Sequence, residues 1–500
     1  MGAAPTNQPV VIGLDLGTSA CKALAFAADG HRLAEAQRFL TTERDGLACE
    51  QSPQQWIAAV VDCLGGVAHQ LGGAAVAGIG LSGQIGTHLL VDQAMRPLAP
   101  AVTWQDARSG EVLTRVAEAV PDAWLAQHLG ARLPPSPTWP LPRLYWLTQR
   151  YPALVEAARY LLSPKDYVAW WLTGRLVGDV ASWRGLARPD GTVADEALRR
   201  LGLPDLLPPL AGPTNLVGHL LPTVAEAVRL PPDTPVVVGM SDLNAGLIGL
   251  GAIDVAQGFD VGGTSEHLGV VATTPVADWR IASLPLYGVD LGLYSVYGVT
   301  SNAGSVVSWL EQTLVGPGEA VFDLAAQAPA GASGLLCLPY LHGERAPIWN
   351  ARATGGYVGL TERHRRPDLI RAALEGVACN LRAIARLIPA EWCCHQPIRT
   401  TGGTAGSPLW NSIKAAVLDQ PLQLLREPQA ASLGAAILAA VGTGLVASSR
   451  DGVAAMVRCA DLVEPDTHLV ALYEDVFDRY QRAALAWAGL PQPDDGKDQS

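Results

Sequence analysis

The sequence contains two similar glycine-rich turns, separated by about half of its length, and each follows an apolar segment with the pattern of a β-strand. The first turn, residues 15–19, reads Asp-Leu-Gly-Thr-Ser, and the second, residues 260–265, reads Asp-Val-Gly-Gly-Thr-Ser. Glycine, threonine and serine are common in turns, so either copy alone has a simple structural explanation. Two copies half a chain apart indicate an internal duplication, and therefore two related α/β domains.

The length of the chain supports the same division. A single hydrophobic core rarely serves more than about 250–300 residues, and this chain has 500, of which 49% are apolar and 16% charged. We place the junction close after the buried-type strand that begins near residue 236. The prediction is an N-terminal domain over residues 9–246 and a C-terminal domain over residues 247–485, with flexible termini at 1–8 and 491–500.

Composition excludes several classes of partner. The net charge is -12 and no block of lysine or arginine occurs, so there is no electrostatic reason to expect nucleic acid or an anionic membrane. No apolar run approaches the roughly 20 residues of a membrane span, and the first residues lack a signal-peptide core. The eight cysteines form neither a CxxC pair nor a zinc spacing, which favours reduced thiols. We therefore predict a cytoplasmic enzyme.

The order of elements is partly predictable from local pattern. Residues 10–39 have the pattern of strands joined by tight turns, which predicts a β-meander. From Pro53 the apolar residues recur at spacings of three and four, which predicts a helix. Residues 76–81 form another predicted strand, and residues 89–92 are predicted to be its hairpin partner.

The chemistry of the two turns suits phosphate groups. Glycine allows close backbone approach, and hydroxyls and successive N–H groups supply donors for an anion. The predicted phosphate-binding residues are Gly17, Thr18, Ser19, Gly263, Thr264 and Ser265. Asp15 cannot attract phosphate itself, so we predict it as a ligand of Mg²⁺; alternatively it only organises its turn. Asp260 lies one residue further from its Gly-Thr-Ser and is predicted to be structural.

Longer blocks resemble a known family. Residues 355–360, Gly-Gly-Tyr-Val-Gly-Leu, followed by residues 368–375, Asp-Leu-Ile-Arg-Ala-Ala-Leu-Glu, resemble the second signature of the FGGY family of carbohydrate kinases. Residues 142–147 resemble the first signature, with Arg143 in place of the usual lysine. Residues 164–167 and 338–347 resemble the xylulokinase branch. The resemblance spans about residues 10–444 and implies a duplicated actin-like (ribonuclease-H-like) ATPase fold with a cleft between the domains, ATP and Mg²⁺.

The resemblance also implies a catalytic residue. In these kinases an aspartate directly after a strand accepts the proton of the attacking sugar hydroxyl, and the matching residue is Asp242. A purely structural role as a helix N-cap is the alternative. A helix N-terminus would favour the ionised carboxylate and so make it a weak base. Late proton transfer in a loose transition state tolerates a weak base.

The remaining site residues follow from the same motifs. The adenosine side is predicted at Gly402, Gly403 and Asn411, and the sugar side at Gln84, Trp104, Asp106 and Asn244. Two positions depart from the family. Ile85 and Gly86 stand where xylulokinases carry Met-His, which puts xylulose in doubt, and Glu266-His267 follows the second turn. For Glu344 and Arg345 the prediction is an ion pair that fixes a loop.

We therefore predict an ATP-dependent kinase acting on a hydroxyl of a small sugar, with a ketopentose such as D-xylulose as first choice. Gluconate, or a polyol such as erythritol or glycerol, is the alternative within the family. Outside this class, the same fold serves nucleotide-gated, actin-like binding proteins, which lack a sugar-side aspartate. A homodimer is a candidate assembly.

Overall fold

The computed structural model describes residues 9–389 and 396–488; the predicted flexible termini, 1–8 and 491–500, lie outside the described residues. Each half of the molecule is built on one large mixed sheet. The spatial order of the first sheet is β12 (Leu216–His219), β13 (Pro235–Ser241), β6 (Val76–Gly83), β1 (Val10–Leu16), β2 (Ala20–Ala27) and β3 (Arg32–Phe39). The meander predicted for residues 10–39 is confirmed as β1, β2 and β3.

The second sheet repeats this topology and adds one edge strand. Its spatial order is β16 (Ala282–Leu286), β17 (Asp290–Thr300), β15 (Glu266–Ala272), β14 (Gly258–Gly262), β20 (Ile398–Thr401), β21 (Leu422–Leu425) and β22 (Cys459–Val463). In both sheets, the strand before the glycine-rich turn pairs antiparallel with the next strand and parallel with a later one. The predicted duplication is therefore confirmed by strand topology.

Helices cover the sheets and fill the segments between them. Those of the first half are α1 (Pro53–Leu71), α2 (Leu113–Ala119), α3 (Asp122–Leu129), α4 (Pro140–Arg150), α5 (Pro152–Ala157), α6 (Pro164–Thr173), α7 (Asp195–Leu201), α8 (Pro222–Val228) and α9 (Asp242–Leu250). Those of the second half are α10 (Gly304–Thr313), α11 (Val321–Ala325), α12 (Arg366–Ala385), α13 (Pro408–Leu418), α14 (Ala430–Gly442), α15 (Ser449–Met456) and α16 (Thr467–Ala488).

In the part of the chain that the structure describes, short strands form four smaller sheets. They are β4 (Glu43–Asp45) with β5 (Ala48–Gln51) and β8 (Ala101–Val102); β7 (Leu89–Val91) with β9 (Tyr160–Leu162); β10 (Gly178–Asp179) with β11 (Leu210–Ala211); and β18 (Leu336–Leu338) with β19 (Gly356–Val358). The predicted hairpin between residues 76–81 and 89–92 is wrong. Strand β7 pairs with β9 instead, because both edges of β6 are occupied by β1 and β13.

Two helices from different halves form the junction. Helix α14 of the second half packs on strands β1 and β6 of the first sheet and on α9. Glycines make this contact possible: a Cβ on Gly13 would lie 1.8 Å from the Ser432 carbonyl oxygen, and one on Gly434 would lie 1.8 Å from that of Ala245. The predicted domain boundary at 246/247 falls within α9, so the helix runs continuously across it.

Over residues 9–389 and 396–488, no helix combines the length and hydrophobicity needed to cross a membrane. The cysteines in this part of the chain are free thiols, and all but Cys459 are buried.

Candidate active site

A cavity of about 400 Å³, open to solvent, lies between the two halves, and both Gly-Thr-Ser turns line it. Of the residues predicted to bind nucleotide, those lining the cavity are Thr18, Ser19, Gly263, Thr264, Ser265, Gly402 and Gly403. Gly17 and Asn411 lie behind this lining. The fold thus brings three glycine-rich segments, distant in sequence, to one site.

Contacts fix the shape of the turns. The Thr18 hydroxyl accepts a 2.7 Å hydrogen bond from the Trp104 indole nitrogen. The Gly263 carbonyl accepts a 3.0 Å bond from the Gly304 amide, where α10 begins. Gly402 has a φ of 121°, and a Cβ there would lie 2.2 Å from the Gly262 carbonyl oxygen. Only glycine allows the Gly402 loop to lie against the second turn this closely.

The two predicted nucleotide residues outside the lining support it from behind. The Gly17 amide donates to the Ala20 carbonyl at 3.0 Å and closes the first turn. Asn411 is buried in α13, and its amide nitrogen donates to the Ala405 carbonyl at 2.7 Å. Asn411 therefore holds the loop after Gly403 in place.

Asp15 lies in the cavity wall, on β1. Its Oδ1 accepts a 2.8 Å hydrogen bond from the Ser82 hydroxyl. Burial raises the pKa of Asp15, and the bond from Ser82 and the charge of Lys22 partly oppose this effect. Lys22 lies opposite Asp15 on the neighbouring strand β2. It also lines the cavity, where its ammonium donates to the Gln429 side chain at 2.7 Å. Sequence reasoning missed Lys22, although a lysine within an apolar strand is a signal.

Asp260 is the counterpart of Asp15 in the second sheet, and it has a different environment. The Thr400 hydroxyl donates to it at 2.7 Å, as Ser82 does to Asp15. The buried Lys414 ammonium, however, pairs with both Asp260 and Glu266. Burial alone would raise the pKa of Asp260, but the charge of Lys414 outweighs it and lowers that pKa. For Glu266, burial and the charge of Asp260 raise the pKa to about 8. Asp260 is therefore part of a buried ionic cluster, as its predicted structural role requires.

Asp242 is the first residue of α9 and lines the cavity. The N-cap is Ser241, and the Leu243 amide donates to Oδ1 of Asp242 at 2.8 Å. Burial, and secondly the charge of Asp15, raise the pKa of Asp242 to about 7. This corrects the expectation of a weakly basic carboxylate, because desolvation outweighs the helix N-terminus. Near neutral pH the group can therefore accept and return a proton.

Only one of the four predicted sugar-side residues lines the cavity, namely Trp104. Gln84 is buried, where its amide nitrogen donates to Gln51 at 2.9 Å and its oxygen accepts from Thr87 at 3.0 Å. Asn244 is buried within α9. These side chains lie behind the wall rather than on it.

Asp106 is also fully buried, and arginines enclose its carboxylate. Arg108 pairs with it at 2.6 Å and Arg143 at 3.3 Å. The Cys49 amide donates to it at 2.9 Å. The structure therefore uses Asp106 to neutralise Arg143, the residue that departs from the family's first signature.

The cavity lining also includes residues that sequence reasoning missed or assigned another role. Arg345 was predicted to pair with Glu344, and this is wrong. The Glu344 carboxylate accepts from the Thr300 hydroxyl and the Ser301 amide, both at 2.7 Å, while the Arg345 side chain reaches the cavity. Further residues of this lining are Ser136, Thr138, Trp139, Arg184, Tyr297 and Trp349. The segment that carries Ser136, Thr138 and Trp139 is rich in proline, and its sequence gives no local signal that it lines a cavity.

The Glu266-His267 departure now has a structural explanation. Successive residues of a strand point to opposite faces, so Glu266 enters the Lys414 cluster while His267 faces the cavity. The His267 ring lies 5.6 Å from that of Tyr297. Burial, and secondly the charge of Arg345, lower the pKa of His267 to about 3. The imidazole is therefore neutral and offers one donor and one acceptor.

Two copies of one sheet topology, with a glycine-rich turn from each at a shared cavity, define the class: an α/β phosphotransferase with the duplicated actin-like ATPase fold. The chain belongs to the FGGY family of carbohydrate kinases. The model of the family's N-terminal domain matches residues 10–249, and that of its C-terminal domain matches residues 260–443. The protein is thus an ATP-dependent sugar kinase.

Relatives and solved structures cover almost the whole chain. A xylulose kinase of Staphylococcus epidermidis is 30% identical over 95% of this chain and 96% of its own. A gluconokinase of Bacillus subtilis is 28% identical over 89% and 90%. The crystal structure of a gluconate kinase from Lactobacillus acidophilus superimposes with a TM-score of 0.87 at 26% identity, covering 96% of this chain and 99% of that one.

Proposed function

We propose that Asp242 is the catalytic base of this kinase. A hydroxyl oxygen of the sugar attacks the γ-phosphorus of ATP, the bond to the β-γ bridging oxygen breaks, and ADP leaves. The hydroxyl proton passes to Asp242. The observation that carries the proposal is the position of Asp242 at the start of α9, in a cavity shared with both Gly-Thr-Ser turns, with a pKa near 7. A base of this pKa operates well at neutral pH.

The nucleotide is assigned to the turns. Backbone N–H groups and hydroxyls at residues 18–19 and 263–265 suit the phosphates, and the first N–H groups of α10 hold the second turn by donating to the Gly263 and Thr264 carbonyls. Gly402 and Gly403 lie in the same lining and suit the adenosine. Lys22 supplies the neighbouring positive charge.

We also propose that Asp15 holds Mg²⁺. Ser82 engages only Oδ1, which leaves Oδ2 to bind the cation directly or through water. Mg²⁺ is usually bound by one or two carboxylates together with substrate phosphates and water, so the single carboxylate beside the first turn fits it. When bound, the ion neutralises charge on the transferring phosphoryl group.

The acceptor is assigned to the aromatic end of the cavity. Trp104 supplies an apolar face for the C–H groups of a sugar. A sugar contact by Asn244 remains a prediction, because the Asn244 side chain is buried. The relatives include both xylulose kinases and gluconokinases. A ketopentose such as D-xylulose and an aldonate are therefore both candidates. Cytoplasmic location and a homodimer also remain predictions.

ADP release over a panel of pentuloses, aldonates and polyols tests the proposal. We expect acceptor-dependent turnover that falls by about 10²–10⁴-fold in Asp242→Asn, because general-base catalysis contributes this much. Asp233→Asn, at an exposed position outside the cavity, is the matched control. Turnover retained by Asp242→Asn would refute the catalytic assignment. Nucleotide binding without acceptor-stimulated turnover would favour the nucleotide-gated binding protein.

A further inference from the structure

Arg184 is a buried cation in the wall of the active-site cavity. It follows the short 3-10 helix Val180–Trp183, and only 2% of its surface is exposed. It lines the same cavity as Asp242, and its charge acts to lower the pKa of that carboxyl. A guanidinium this deeply buried usually has a carboxylate or phosphate partner, because desolvating a lone cation is costly.

The contacts of Arg184 within the chain are neutral. Its Nε donates to the Ala181 carbonyl at 3.2 Å, and its Nη1 donates to the Tyr297 hydroxyl at 3.0 Å. The guanidinium lies 5.2 Å from the centre of the Trp139 ring. Nη2 is buried and finds no acceptor among the residues that the structure describes. These contacts orient the guanidinium and leave Nη2 without a partner among the described residues.

A second cation, Arg345, lines the cavity in a similar way. Its guanidinium lies 5.5 Å from the centre of the Trp104 ring, and it donates to the Ser301 hydroxyl and the Thr300 carbonyl. Other buried arginines have carboxylate partners: Arg143 pairs with Asp106 at 3.3 Å and Arg371 with Glu375 at 2.8 Å. In the described part of the chain, neither Arg184 nor Arg345 has such an ion pair.

The space around these arginines suits a small polyhydroxylated molecule. Aromatic rings of Trp104, Trp139 and Tyr297 form the walls, with the hydroxyls of Ser136 and Thr138 beside them. Such a site combines C–H contact, hydroxyl partners and positive charge.

We infer that the acceptor is a sugar acid, and that Arg184 is the residue that selects it by binding its carboxylate through Nη2. Arg345 supplies the second positive charge. The acid then presents a hydroxyl to Asp242, and the transfer proceeds as proposed above. The inference rests on the proposed function, and it narrows the acceptor from small sugars in general to polyhydroxy carboxylates such as aldonates.

Matched pairs of acceptors test the inference. kcat/KM is measured by coupled ADP release for D-gluconate against D-glucitol, for D-xylonate against xylitol, and for D-xylulose. We expect the acids to be preferred by about 100-fold or more, because a buried charge pair is worth this much in specificity. In Arg184→Met the ratio of acid to neutral kcat/KM should fall by about 100-fold, chiefly through the KM of the acid. Arg188→Met, outside the cavity lining, is the control.

Three outcomes would overturn the inference. The first is preference for D-xylulose or the polyols. The second is an unchanged acid-to-neutral ratio in Arg184→Met. The third is an equal loss of kcat with every acceptor, which would place Arg184 at the transferred phosphoryl group instead. Tyr297→Phe removes the hydroxyl that orients the Arg184 guanidinium, so it should lower the acid-to-neutral ratio of kcat/KM, and it serves as the test if Arg184→Met does not fold.

Calorimetric binding of D-gluconate separates this inference from the proposed function. If no acceptor is turned over, the proposed function fails. The inference then still requires D-gluconate to bind the wild-type protein more tightly than Arg184→Met by about 100-fold. Equal binding overturns it.

Discussion

Replacing Asp242 by asparagine should stabilise the protein while it lowers turnover by about 10²–10⁴-fold. Burial and the charge of Asp15 raise the pKa of this carboxyl from its ordinary 3.8 to about 7. A pKa that is higher in the folded state means that the folded protein holds the proton more tightly. Its stabilising contribution is therefore complete below pH 3.8, is lost as pH rises, and is fully lost above about pH 7.

The size of the effect follows from the same numbers. Raising a pKa from 3.8 to about 7 corresponds to about 4 kcal/mol, at about 1.4 kcal/mol per pH unit. Asp242 is half-buried at an open cavity, so water screens part of this energy, and we expect about 2 kcal/mol. Asp242→Asn should match the wild type near pH 4 and exceed its unfolding free energy by about 2 kcal/mol above pH 7.

Urea denaturation between pH 4 and pH 8.5, without nucleotide or Mg²⁺, measures this difference. Asp233→Asn, at an exposed turn, should show no such pH-dependent gain. Wild-type kcat/KM should rise with pH through a midpoint near 7, because only the ionised carboxylate accepts the proton. A constant difference in stability between Asp242→Asn and the wild type across this range would refute the argument from burial.

Three further predictions concern other parts of the site and the junction. Lys414→Met removes the cation of the buried cluster and should cost about 3–5 kcal/mol of unfolding free energy, measured in urea; a loss below 1 kcal/mol would contradict its neutralising role. Asp15→Asn should raise the Mg²⁺ concentration for half-maximal activity at least about 10-fold, and an unchanged Mg²⁺ titration would argue against metal binding. Gly13→Ala places a methyl group against the Ser432 carbonyl and should destabilise by about 3 kcal/mol, whereas Gly110→Ala, in open space, should not.

Local motifs predicted the duplication and several residues of the site. The Gly-Thr-Ser turns are recognisable in the sequence because their backbone conformation depends on their own residues rather than on distant contacts. Asp15, within the first strand, and Asp242, directly after a strand, were predicted as site residues because each belongs to a recognisable motif. The β-meander and helix α1 were predictable from periodicity, which depends only on neighbouring residues.

Long-range contacts decided the rest. Gln84 and Asp106 carry suitable groups for a sugar, but Gln51 and Arg143, distant in sequence, engage them behind the cavity wall. Arg184 stands in a segment without any motif, and it becomes a cavity residue only because Trp139 and Tyr297 pack around it. The difference between Asp15 and Asp260 has the same origin.

The sequence by itself therefore determined that this protein has two related halves, each with a phosphate-type turn and a preceding aspartate. Only the tertiary structure decided which aspartate remains available, because Lys414 neutralises Asp260 from a helix about 150 residues away, while Asp15 faces the cavity. The same packing places Arg184 and Arg345 in the cavity wall. Burial, pairing and pKa depend on which side chains meet in space, and that is set by the packing of the two halves rather than by local pattern.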